Sequence, residues 1–118
     1  MSEATNGSTT VSSEVVQKIA GAAARGVPGV AELGGDVARF FNSVLDKVGL
    51  DEVGDATRGV SAKVTGSDVT VGVVLVLEAG RVVAEVTAEV QAKVKEALSG
   101  YGLNVLAVNV NVDDITGV

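Results

Sequence analysis

The chain has 118 residues, 47% of them hydrophobic, and a net charge of −6, with neither cysteine nor histidine. That length suits one domain with one core, and the missing residue types exclude disulfides, thiolate metal sites, thiol nucleophiles and imidazole chemistry. The nine basic residues are scattered and there are only two phenylalanines and one tyrosine, so the basic, aromatic-laced stripe of a nucleic-acid binder is missing, and the acidity opposes direct adsorption to an anionic bilayer.

The opening MSEATNGSTT carries Glu3 where an export signal needs positive charge, and no apolar run follows it. Residues 1–10 read as a disordered leader and residues 11–118 as a single domain. In SSEVVQKIAGAAARG, Val15, Val16, Ile19, Ala22 and Ala23 share a helical face. Ser12 suits the N-cap, Glu14 the first turn, Arg25 the last turn and Gly26 the C′ position. Val27-Pro28-Gly29 then spells a type II turn, followed by a loop. A second amphipathic helix is expected in DVARFFNSVLDKVG, with Val37, Phe40, Phe41, Val44, Leu45 and Val48 on one face. That face serves either as core or as a docking surface. GLDEVGDATRG is a glycine-rich acidic linker, whose Asp51, Glu52 and Asp55 lack the ligand pattern of a calcium loop.

From Arg58 the hydrophobic period becomes two. A two-residue hairpin loop at Gly66-Ser67 would set Thr65 against Asp68, Val64 against Val69, Ala62 against Val71 and Val60 against Val73, so that each core residue meets another apolar one. VTVGVVLVLEAG falls far short of the roughly 20 apolar residues of a spanning helix and reads as a strand. Its second half is apolar on both faces: Val74 and Val76 lie opposite Val73, Leu75 and Leu77, and require cover from this chain or from a second molecule. The period then returns to helical, with Val83, Val86, Val90, Val94 and Ala97 as the seam, until SGYGLN ends the helix. The final strand LAVNVNVDD places Leu106, Val108, Val110 and Val112 on one face and Asn109, Asn111 and Asp113 on the other. Repeated asparagine there implies a wet face or a hydrogen-bonding contact surface.

The expected order is α-α-β-β-α-β: a two-layer α+β domain, its three-stranded sheet (hairpin plus C-terminal strand) backed by helices. No nucleophile and base can be paired from the sequence. The glycines of GVPGVAELGGD lack the lysine and hydroxyl residue of a P-loop. No catalytic, cofactor-binding or metal-binding residue is therefore assigned, and the chain is read as a non-enzyme.

VSSEVVQKIAGAAARGVPGVAELGG, a helical insert, VSAKVTGSDVTVGVVLVLEAG, VAEVTAEVQAKVKEAL and GLNVLAVNVNVDDI together resemble the alkaline shock protein family of envelope stress response proteins, found mainly in Gram-positive bacteria. The resemblance runs from about Val11 to Ile115, and its alanine-, valine- and glycine-rich composition is similar to that of actinobacterial members. Many relatives have a tyrosine where this chain has Ala79. The resemblance implies a cytoplasmic, non-enzymatic scaffold or adaptor that self-associates, is tethered to the membrane by a small integral membrane protein, and serves cell-envelope homeostasis. From composition and run length, no nucleic-acid partner and no membrane insertion of its own are expected, and no cofactor is assigned. The expected interaction surface is Val74, Val76, Asn109 and Asn111 on the sheet, with Phe40 and Phe41 second. The alternative is a small-ligand or lipid-binding domain with the same apolar residues lining a pocket.

Overall fold

The computed structural model describes residues 11–34, 56–57 and 59–117; the leader, the expected Phe40/Phe41 helix and residues 49–55 and 58 of the acidic linker lie outside these, while Ala56 and Thr57, expected as part of that linker, form a short strand. The described elements are helix α1 (Ser13–Arg25), strands β1 (Val30–Leu33), β2 (Ala56–Thr57), β3 (Val60–Thr65) and β4 (Asp68–Glu78), helix α2 (Val83–Ser99) and strand β5 (Asn104–Thr116). They form the expected α+β arrangement, with two short strands, β1 and β2, added to the hairpin and the C-terminal strand. The segment GVAELGG, expected as loop, thus contributes β1. At four residues, paired through a bulge between Val30 and Glu32, it is too short and irregular to show a period.

Strand β4 is the hub. It pairs antiparallel with β3 along its first half and with β1 along its second, while β5 runs parallel to it from Asp68/Asn104 to Glu78/Thr116. Val74 shows how two strands share one side. Its N–H donates to Gly59 O at 2.8 Å and its C=O accepts from Gly34 N–H at 3.0 Å, and both groups of a strand residue point the same way. The hairpin has the expected register at all four positions, from Thr65/Asp68 to Val60/Val73. Gly66, at φ 63°, takes the left-handed conformation that the first loop position demands.

Helix α1 begins where capping chemistry places it: Ser12 Oγ accepts from Val15 N–H at 3.3 Å. It ends at Gly26, which is the C-cap with φ −80° rather than a left-handed C′ residue. The type II turn follows, with Gly29 at φ 104° and Val30 N–H bonded to Val27 O at 3.2 Å. The buried face of α1 is rotated from the expected one. Val16, Ala20, Gly21 and Ala24 face inward, whereas Val15 is 45% exposed and Ala22 lies at the surface. Small residues win that face because they let the helix axis approach β3; a Cβ on Gly21 would already stand 3.6 Å from Val60 Cγ2.

In α2 the seam is Val86, Val90, Val94 and Leu98, one residue per turn, while Val83 is 42% exposed and Ala97 half-buried. Among the described residues the core lies between the helices and one sheet face, where Val69, Val71, Val73, Leu75 and Leu77 of β4 meet Val60 and Ala62 of β3. Strand β5 adds Val105, Val108, Val110, Val112 and Ile115. Leu106 departs from its expected inward place and is 61% exposed, because a register shift between Val69 and Thr70 makes it a bulge residue. A second shift, between Leu75 and Val76, bulges Asp113 and puts Asp114 opposite Val76.

Candidate functional site

The sheet face turned away from the helices is assembled row by row from the strand pairings. Ser61, Gly72 and Asn109 form one row, Val74 and Asn111 the next, and Glu32, Val76 and Asp114 the third. Residues directly opposite one another on paired strands share a face, so these rows bring together residues up to 82 positions apart (114 − 32 = 82).

This face has two environments. Ser61 and Val74 are fully buried and Thr70 is 6% exposed, yet Val74 does not belong to the core between helices and sheet. Val76, Asn109 and Asn111 are half-buried, and Glu32 and Asp114 are exposed. The face therefore passes from a closed patch to an open strip of valine and asparagine with acidic residues on both sides of Val76. On this face two polar atoms are buried without a hydrogen-bond partner, Ser61 Oγ and Asn109 Nδ2. They belong to the same row, separated by Gly72, which brings no side chain between them. A buried donor or acceptor left unpaired costs about 1–3 kcal/mol, so this row stands out energetically.

Of the residues expected to form a surface, Val74 and Asn111 are directly paired and Asn109 is next to them, while Val76 is paired with Asp114 instead of an asparagine. Val74 is closed to solvent within the single chain, which makes it the floor of the strip rather than part of its exposed surface. Phe40 and Phe41 lie outside the described residues. Sequence reading missed Glu32, Asp114 and Ser61. The first sits on a strand that periodicity does not reveal and the second is turned onto this face by a bulge. Ser61 was legible as the outward residue between Val60 and Ala62, but nothing in its type signals burial.

Among the described residues no three acidic side chains are placed to hold a metal ion. A groove of about 330 Å³ runs between the helices, lined by Ala22, Ala23, Val27, Pro28, Glu89 and Lys93 among others. It is on the opposite side of the sheet from Val74 and Val76, so those valines do not line it. Lys93 Nζ, on its rim, is 3.9 Å from the Glu96 carboxylate. No described helix is long and apolar enough to cross a membrane.

Solved structures similar to this chain include a zinc form of a MamM CTD variant, 18% identical with a TM-score of 0.50, covering 86% of this chain and 84% of that one. A copper form of another MamM CTD variant matches at 18% identity and a TM-score of 0.50, covering 86% and 95% of the two chains. At this identity the likeness is one of fold alone. The sequence itself matches the model of the alkaline shock protein 23 family, described as having a cell envelope-related function, over residues 1–117. With nearly the whole chain matched, the chain belongs to the alkaline shock protein 23 family.

Proposed function

We propose that this protein is a non-enzymatic scaffold of the cell envelope that self-associates and is held at the membrane through an integral membrane partner. The reading rests on family membership for the cell-envelope role and on one observation for the mode of action. That observation is the open strip of Val76, Asn109 and Asn111, which carries an apolar side chain, amides and an unpartnered buried Nδ2. Such a mixture suits recognition: apolar area supplies affinity and amides fix orientation.

Glu32 and Asp114 flank Val76 across the strands, and the whole chain carries a charge of −6. A complementary partner segment would present an apolar residue between lysines or arginines. Cytoplasmic segments next to membrane-spanning helices are enriched in those residues. The protein would then reach an anionic membrane through a basic tether, which removes the repulsion its own charge would create.

A tagged pull-down from detergent-solubilised membranes tests this, with a Val76→Glu variant alongside the unaltered chain. Recovery of a small integral membrane protein by the unaltered chain, lost with the variant while its circular dichroism is unchanged, is the expected outcome. Recovery of the same protein by both would remove the strip from the proposal. Recovery of no membrane protein by either would remove the tether.

A further inference from the structure

We infer that the chain self-associates by antiparallel pairing of β5 with β5 of a second copy, about a two-fold axis at Val110, which joins two sheets into one. This deepens the self-association proposed above by naming its surface. Among the described residues β5 is bonded only to β4, which leaves its other side as a sheet edge from Asn104 to Thr116. Edge strands with unpaired amides are templates for another strand.

Which amides face the edge follows from the ladder. The backbone of Val74 points to the β3 and β1 side, so Val71, Val73 and Leu75 point towards β5. In a parallel ladder the residue opposite such a residue points away. Val108, Val110 and Val112, opposite Val71, Val73 and Leu75, therefore present their N–H and C=O groups outward. The Val108 carbonyl accepts from Gln91 Nε2 at 3.2 Å, which agrees with its outward direction and leaves it a second lone pair.

The sequence of this edge is its own complement. Val108-Asn109-Val110-Asn111-Val112 reads identically in both directions. Antiparallel pairing centred on Val110 sets each Val110 against the partner's Val110 and Val108 against the partner's Val112, all outward-facing residues that exchange both backbone bonds. Asn109 then faces the partner's Asn111 at a position where side chains approach most closely, so rotation of its amide towards the seam gives Asn109 Nδ2 the partner it lacks in one chain. On the core face the half-buried Val108, Val110 and Val112 gain apolar neighbours.

The same features oppose other registers. Bulges after Val105 and after Val112 bound the regular stretch, Ala107 to Val112, and twist the strand beyond it away. Asp113 faces the partner's Ala107 in the centred register but approaches its own copy when the strands slip towards their C-termini. The flank of α2 that carries Gln91 also carries the exposed Ala84 and Ala88 at helical spacing, so the two copies of α2 meet over the seam with small side chains.

The test uses the full chain. Analytical ultracentrifugation of the unaltered protein and of Val110→Pro measures association; the substitution removes an edge-facing N–H without touching the β4 ladder, and edge positions of that kind tolerate proline. A dimer whose dissociation constant rises about thirtyfold or more in a variant that keeps its circular dichroism is expected, since two symmetry-related bonds are lost. A nitroxide on Asp113→Cys, unique because the chain has no other cysteine, gives an independent reading. The two labelled Cα atoms, about six residues apart along the ladder, should be separated by about 20 Å in double electron–electron resonance. A dimer with a different separation, or one that Val110→Pro leaves intact, overturns the β5 seam while self-association stands. A protein that remains monomeric overturns both.

Discussion

Single residues carry much of what this fold demands. Gly59 has φ 85°, and a Cβ there would stand 2.8 Å from Leu33 Cβ and closer still to Gly34 N, where β1 passes the start of β3. Gly59→Ala combines backbone strain with a clash against main chain, and we expect it to cost about 2–4 kcal/mol, read as a lower urea midpoint at unchanged m-value. Ser61 is the opposite case. Its hydroxyl is buried with no partner, so Ser61→Ala should stabilise the protein by about 1 kcal/mol through the burden it removes; a loss of stability would show that the hydroxyl is satisfied in solution. Residue type explains why the two differ in legibility. Gly59 stands before an alternating run, where a turn glycine is natural, whereas burial of Ser61 follows from strand pairing and has no mark in the sequence.

At the scale of elements, the hairpin was legible because two independent signals agreed. Gly66 demanded a two-residue loop, and that loop aligned Val60, Ala62 and Val64 with Val73, Val71 and Val69. The helices were legible in extent but not in rotation. The apolar count of α1 favours a face through Val15 and Ile19, yet the face that packs is centred on Val16, Ala20 and Ala24, with Ile19 half-buried at its edge and Val15 exposed, because close approach to β3 rewards small side chains. Ala20 is fully buried, so Ala20→Leu should force α1 off the sheet and cost about 1–3 kcal/mol, whereas Ala22→Leu on the exposed side should change thermal stability little. In β5 the alternation of valine and asparagine was plain, but the bulges were not. An extra residue leaves no local signature when it is Leu106 followed by Ala107, both acceptable on either face. Asp114 reached the candidate strip for the same reason.

For the whole molecule, the architecture was accessible from periodicity and turn chemistry, while the placement of β5 was not, because parallel pairing across a helix involves residues remote in sequence. The candidate strip was legible in part. Excess apolar residues on β4 and repeated asparagines on β5 marked the face, but its division into a closed patch and an open, acid-flanked strip required the sheet. If the proposed partner docks on this strip, binding through Glu32 and Asp114 should weaken as salt rises, and Glu32→Lys with Asp114→Lys should abolish it, measured as pull-down yield across a salt series. Binding insensitive to salt would place the affinity in the apolar residues alone.

The parallel seating of β5 against β4 also sets an order of events during synthesis. The hairpin can close once Glu78 is available, but β5 cannot join until α2 and the turn at Gly102 have been made, some 26 residues after the end of β4 (104 − 78 = 26). Throughout that interval the longest apolar stretch of the chain has one open side. Chains that stop before Asn104 should therefore precipitate where the full chain remains in solution, and separately added peptide spanning β5 should rescue them. Continued solubility of the shortened chain would mean that α2 alone guards β4 while the ribosome finishes.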